Sequence, residues 1–267
     1  MARELLAAGH RIRAMTRKPD SPAARALAVE GAEVVRGDLD DAGSLNNPLR
    51  VSGVLLRCRT RGRPVSSGKK SKASDSRSWR ASPACSISST PRSVLPISRQ
   101  AFPHFENKFR VEETVRGLGF PSFAIIRPVF FMENLLGPWF KPAIDGGQLA
   151  MAIKPTTPLP MIAVADIGKC GRAVFERHAE LNGRAIDIAG DELTMPDVAE
   201  IISEAAGHKV VHAPPPIETV RAASADYAVM LEWFDDVGYS ADIASNAREF
   251  GIPPTRFRDW AREVSGN

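Results

Sequence analysis

Acidic residues are almost missing from one long stretch of this chain. Between Gly53 and Ala101 there are 11 lysines and arginines and a single acid, Asp75, a net charge of +10. The whole chain of 267 residues carries only +4, so the remainder is acidic at −6. A pI of 9.1 therefore describes one block and not the protein. Cysteine is also scarce: Cys58, Cys85 and Cys170 show neither metal-ligand spacing nor an even framework, which excludes a disulfide scaffold. No apolar run approaches the roughly 20 residues that span a bilayer, the stretch from Leu159 to Ala165 being typical. No basic-then-apolar leader opens the sequence, so a cytoplasmic protein without a membrane is expected. There are two tyrosines, Tyr227 and Tyr239, and neither stands four residues before a lysine. The Tyr-x-x-x-Lys acid of ordinary dehydrogenases is thus missing.

Outside the basic block the chain alternates helix and strand. Arg3 to Ala8 reads as a helix stopped by Gly9, and Arg11 to Met15 as a strand. Pro22 to Val29 reads as a helix, Ala32 to Val35 as a strand, and a short helix is expected near Ala42. Glu106 to Arg116 reads as a helix and Phe123 to Ile126 as an apolar strand buried on both faces. This rhythm predicts an α/β fold, a Rossmann-like doubly wound parallel sheet. From Pro138 the pattern changes. Strands at Arg184 to Ile188 and Lys209 to His212 alternate with helices at Met195 to Ala205, Ala223 to Val237 and Arg256 to Val264. The expected division is a nucleotide-binding core over 1–137 and a smaller, intertwined C-terminal substrate lobe over 138–267. His178, His208 and His212 are not spaced as ligands and read as surface or strand-end residues.

Ligands of doubly wound sheets sit outside the carboxyl ends of the strands. Arg17 and Lys18 follow a strand directly, where an adenosine ribose would lie. An arginine fork there suits a 2′-phosphate, whereas an acid would suit the free hydroxyl. Asp38 follows the next strand, beside an adenine edge. The bland alternative, a solvated turn pair and a helix cap, stays open on these residues alone.

The runs ARELLAAGHRIRAMTRKP, GAEVVRGDLDD, PHFENKFRVEETVRGLGFPSFAIIRPVFFMENLL and PLPMIAVADIG resemble the NmrA-like family of atypical short-chain dehydrogenase/reductases. The resemblance covers residues 2 to 50 and about 103 to 264. It implies a Rossmann core that binds NADP(H), in a family that includes redox sensors, transcriptional regulators and reductases of quinone or isoflavone type. A small-molecule substrate and a regulatory protein partner are its implied ligands. By position, it implies that Arg17 and Lys18 contact the 2′-phosphate and that Asp38 and Leu39 contact adenine. It further implies that Lys108 holds the nicotinamide ribose and assists proton transfer, and that Phe131, Met132, Glu133 and Asn134 close over the nicotinamide end. Against these stand a surface Lys108 pairing with Glu112 at i+4, and Phe130 and Phe131 as plain core.

Two departures bear on that function. The family opens with a strand and a GxxGxxG turn that holds the pyrophosphate; here the text begins at Ala2-Arg3, inside the following helix, an apparent truncation. The stretch from about 51 to 102 matches nothing in the family and carries 12 serines between Gly53 and Ala101. With codons chosen to suit, Arg57 to Pro64 and Ala84 to Ile97 return family-like text in one shifted reading phase. The expectation is a frameshifted segment, disordered or poorly packed, that lacks the family's fourth and fifth strands. Weak or no NADPH binding and impaired function would follow, a non-functional product being one alternative. Nucleic-acid binding through 57–80 is another, disfavoured because Trp79 is the block's one aromatic.

Overall fold

The structure, a computed structural model, describes residues 1–37, 54–57, 85–89, 112, 116 and 122–266, with backbone alone at 54–57 and 85–89. It divides into two compact units: Met1–Ser89 with Val111–Ile126 and Gly168–Ile186, and Thr90–Arg110 with Arg127–Ile167 and Asp187–Asn267.

In the first unit, α1 (Ala2–Ala7) ends at Gly9, whose φ of 83° lets the chain turn back towards β1 (Arg13–Thr16). Leu5 buries the inner face of α1. α2 (Pro22–Val29) starts with proline in its first turn, and Ser21 Oγ accepts the Ala24 N–H at 3.4 Å. It returns the chain to β2 (Glu33–Arg36), which runs parallel to β1 with Arg13 opposite Glu33 and Thr16 opposite Arg36. β3 (Val54–Arg57), β4 (Cys85–Ser89), β5 (Ser122–Pro128) and β9 (Ala185–Ile188) form a second sheet in the order β3-β4-β5-β9. β4 is parallel to both β3 and β5.

That sheet corrects an expectation. The segment thought to lack the fourth and fifth strands supplies two of them, with Ile87 paired to Leu56 on one side and Ala124 on the other. The physical reason is that a ladder is made by backbone N–H and C=O groups, which every non-proline residue carries. A serine- and arginine-rich composition weakens a strand without forbidding it. The rest of 51–102, the helix near Ala42 and most of the helix read at Glu106–Arg116 lie outside the described residues. Glu112 and Arg116, both helical, belong to that last element.

The second unit is built on one apolar core. β6 (Phe130–Phe131), β8 (Leu159–Ile162) and β10 (Asp191–Leu193) make a sheet in the order β10-β8-β6. β7 (Gln148–Leu149) pairs with β11 (Val211–His212). A 3₁₀ turn over Met132–Leu136 follows β6, and the helices are α3 (Lys141–Asp145), α4 (Val164–Glu176), α5 (Met195–Ala206), α6 (Ile217–Ala223), α7 (Ala225–Asp236), α8 (Ile243–Phe250) and α9 (Phe257–Ser265). The chain passes from this unit to the first within α4. Met132, Leu149, Met151, Met161, Met195, Val198, Leu231 and Phe257 are completely buried. Phe130 meets Phe140 and Phe234 edge-on at 6.5 Å each, a favourable ring arrangement. The helix read over Ala223–Val237 is α7, Ala225–Asp236, which starts two residues later because Ser224 adopts an extended backbone and its hydroxyl accepts the Tyr227 N–H.

Candidate functional site

At the carboxyl end of β1 the chain makes an ordered turn. Thr16 O accepts the Gly37 N–H at 3.1 Å, Thr16 Oγ1 accepts the Lys18 N–H at 3.2 Å, and Lys18 O accepts the Ser21 N–H at 3.1 Å. Arg17 and Lys18 are exposed on this turn, and their side chains have no partner among the described residues. The parallel register places Arg36, also exposed and unpaired among the described residues, opposite Thr16. Glu30 pairs with Arg3 at 2.8 Å and Glu33 with Arg13 at 2.8 Å, while Asp20 is exposed on the same turn as Arg17 and Lys18. Three cations that make no ion pair among the described residues therefore stand at the carboxyl ends of two adjacent parallel strands. Such a cluster attracts an anion, and the two guanidinium forks suit phosphate oxygens. Arg36 was missed in the sequence because its place depends on strand register, which composition does not reveal.

In the second unit Phe131–Asn134 is brought together by β6 and the 3₁₀ turn. Phe130 pairs with Met161 and Phe131 with Ile162 along β8. Met132 is fully buried and Phe131 half-buried, so of the two phenylalanines Phe130 is the core residue. Asn134 O accepts the Gly137 N–H at 3.0 Å, closing the turn. Glu133 reaches 31 residues along the sequence to accept the Val164 N–H on Oε1 at 2.9 Å. This caps α4, whose first amides have no partner inside the helix. Its other oxygen, Oε2, is buried and has no partner among the described residues.

Asp38, Leu39 and Lys108 lie outside the described residues. Glu112, the residue suggested to pair with Lys108, is buried and accepts from Arg116 at 3.3 Å. His208 and His212 donate to the carbonyls of Ile144 and Met151 at 3.2 and 2.9 Å, a strand-tethering role. Among the described residues no group of three or more His, Cys, Asp or Glu could hold a metal, and no helix is long and apolar enough to cross a membrane. Tyr239 packs edge-on to Trp233 at 5.3 Å and tilted on Phe234 at 5.4 Å. Burial, and behind it the Asp187 carboxylate, pushes its phenol above the ordinary tyrosine range.

The sequence model of the NmrA-like family matches residues 1–70 and 92–261. The chain belongs to the NmrA-like family. The match reaches into the stretch expected to depart from the family from both sides, so that departure narrows from 51–102 to 71–91. Prestalk A differentiation protein A of Dictyostelium discoideum is 29% identical over 174 residues, 59% of this chain and 55% of that protein. The chain thus spans about half the length of the curated relatives it matches. Among solved structures, an NADPH-dependent quinone oxidoreductase of Escherichia coli superposes with a TM-score of 0.74 at 20% identity, covering 98% of this chain and 94% of that one. NmrA, a negative transcriptional regulator solved with NADP, gives 0.73 at 19% identity over 99% and 90%. At these identities the likeness is one of fold: a Rossmann-like α/β architecture with parallel sheets and flanking helices.

Proposed function

We propose that this NmrA-like protein binds NADP(H) and uses it in a reductase-type reaction on a small molecule in the cytoplasm. The observation that carries the reading is the cluster Arg17, Lys18 and Arg36 at the carboxyl ends of β1 and β2, with Glu30 and Glu33 committed to Arg3 and Arg13. An acid at the end of the ribose-binding strand would select NAD(H); these cations select the 2′-phosphate. Asp38 and Leu39 would take adenine, and Lys108 the nicotinamide ribose, as in the family. Phe131, Met132, Glu133 and Asn134 would border the nicotinamide end, where Glu133 offers an unmet acceptor. The 2′-phosphate end of the group fits Arg17, Lys18 and Arg36: cations where it is anionic. When bound, it would supply or accept a hydride.

A second reading is a redox-sensing regulator that binds the cofactor and a protein partner without catalysis. It is favoured by the two tyrosines, neither of which forms the Tyr-x-x-x-Lys acid.

Calorimetry with NADPH and NADH on the wild type and on Arg17→Glu tests the cofactor. NADPH should bind about tenfold or more tightly than NADH, the scale of one charge-assisted hydrogen bond, and Arg17→Glu should erase that preference while leaving NADH unchanged. Equal binding of the two cofactors to the wild type refutes it. Oxidation of NADPH in the presence of a quinone then separates reductase from sensor.

A further inference from the structure

A short helix is kept in place by the apolar face it buries, and one that buries no side chain completely opens more readily than its neighbours. α8 is such a helix. None of its eight residues is fully buried, whereas α5 and α7 in the same unit each bury several. Its own ends are well made: Asp242 Oδ1 accepts the Ser245 N–H at 2.8 Å, and Gly251 closes the last turn. The chain on either side is anchored. Tyr239 packs on Trp233 and Phe234, and the N–H groups of Thr255 and Phe257 donate to Asp166 Oδ2 at 2.7 Å and Asp191 Oδ2 at 2.9 Å. Gly251 lies between the helix and the second anchor with a φ of 63°, a left-handed conformation that glycine adopts without strain.

What α8 lies against is the carboxyl end of β9. Asn246 Nδ2 donates to the Asp187 carbonyl at 2.6 Å, joining helix to strand. The Asp187 carboxylate lies 3.9 Å from the guanidinium of Arg127, near the end of β5, and Arg127 is only 6% exposed. Shutting a charged pair away from water is costly, and the carboxyl ends of parallel strands are where such sheets take ligands.

We propose that α8 is a lid over the carboxyl ends of β5 and β9. With Tyr239 and Thr255 as its fixed ends, it lifts as a unit, breaks the bond from Asn246 to Asp187, and brings Arg127 and Asp187 into contact with solvent. Gly251 takes up the backbone rotation, as a residue at the end of an element does in a hinge. Ile243, Ala247 and Phe250, half-buried and spaced at i, i+4 and i+7, form the weak apolar face that returns the helix to its seat. The inference goes beyond the cofactor reading and does not depend on it.

Hydrogen–deuterium exchange on the full chain, read by mass spectrometry, tests the lid. Amides of α8 should exchange at least about tenfold faster than those of α5 and α7. Asn246→Ala should speed exchange in α8 by roughly a further fivefold, the value of one hydrogen bond, and leave α5 and α7 unchanged. That direction is opposite to the one helix propensity alone would give, since alanine favours a helix more than asparagine does. Phenylglyoxal, which labels accessible guanidinium groups, supplies a second readout. It should modify Arg127 about fivefold faster in Asn246→Ala than in the wild type, the same opening equilibrium being sampled at a side chain. Peptide mapping locates the label. Protection of α8 as strong as that of α5 and α7 overturns the proposal. So does faster exchange in Asn246→Ala that spreads to α5 and α7, or a labelling rate of Arg127 that the substitution leaves unchanged.

Discussion

The backbone N–H of Thr255 donates to Asp166 Oδ2 at 2.7 Å across 89 residues of sequence, and Asp166 is only 2% exposed. Asp166 lies in the first turn of α4, where a negative charge is also favoured by the helix dipole. Removing the carboxylate strands a buried amide, which costs about 1–3 kcal/mol, with the lost dipole contact adding to it. Asp166→Ala should therefore lower unfolding free energy by about 2–4 kcal/mol, measured by urea denaturation. Asp166→Asn, which keeps an accepting oxygen, should lose less than half as much. Equal losses for the two variants would show that the hydrogen bond is not what matters.

Close to this bond, Gly190 is required by space. A Cβ there would meet Thr255 O at 2.8 Å, a backbone atom that cannot swing aside. The N-terminus of α5 depends instead on a reciprocal cap, in which Thr194 Oγ1 accepts the Asp197 N–H at 3.4 Å and Asp197 Oδ2 accepts the Thr194 N–H at 3.2 Å. Gly190→Ala should cost about 1–3 kcal/mol through overpacking, and Thr194→Ala about 1 kcal/mol through the lost cap. The two sites share no hydrogen-bond partner among the described residues, so the double variant should show additive losses in denaturant midpoint.

These features mark what could and could not be read along the chain. α2 was legible to the residue, as read over Pro22–Val29, and the structure adds its Ser21 cap. α1 was legible from Gly9. Arg17 and Lys18 stood out because a strand precedes them directly. Arg36 did not, since its place beside Thr16 is set by a parallel register. The cap that Glu133 makes on Val164 was equally hidden, because it joins segments 31 residues apart. The strands β3 and β4 were misread for a different reason. Side-chain composition was taken as the signal, and pairing there is carried by the backbone.

On the outer face of the first unit, Glu176 accepts from Arg172 at 2.9 Å and lies 3.3 Å from His10 Nε2, whose ring sits edge-on to Phe175 at 5.2 Å. The hydrogen bond from Arg172 is the main cause holding the Glu176 carboxyl below its ordinary value, with His10 helping. A depressed carboxyl stabilises the fold above the unfolded-chain value of about 4.3 and loses that contribution as pH falls through the folded value. Both partners are more than a third exposed, so solvent screening keeps the effect under about 1 kcal/mol. Arg172→Ala should move the Glu176 titration upwards by NMR while changing stability at pH 7 by less than that. A large loss of stability at pH 7 would mean that Arg172 packs rather than pairs.

Tyr239 gives the opposite sign at the other end of the scale. Its phenol is raised first by burial against the second unit's core and then by the Asp187 carboxylate. A raised acid favours the fold fully below the unfolded tyrosine value of about 10, and that advantage drains away as pH climbs from there through the folded value. The cause is simple: the unfolded chain gains free energy by ionising while the folded chain cannot. Tyr239→Phe removes this linkage, so the stability difference between wild type and variant should stay constant from pH 6 to 9 and shift in favour of the variant above about 10. Urea midpoints across that range measure it, and absorbance near 295 nm follows the phenol itself. Asp187→Asn should bring the titration part of the way back, since burial, the larger cause, remains. A wild-type and variant difference that is flat through pH 11 would place the hydroxyl in water instead.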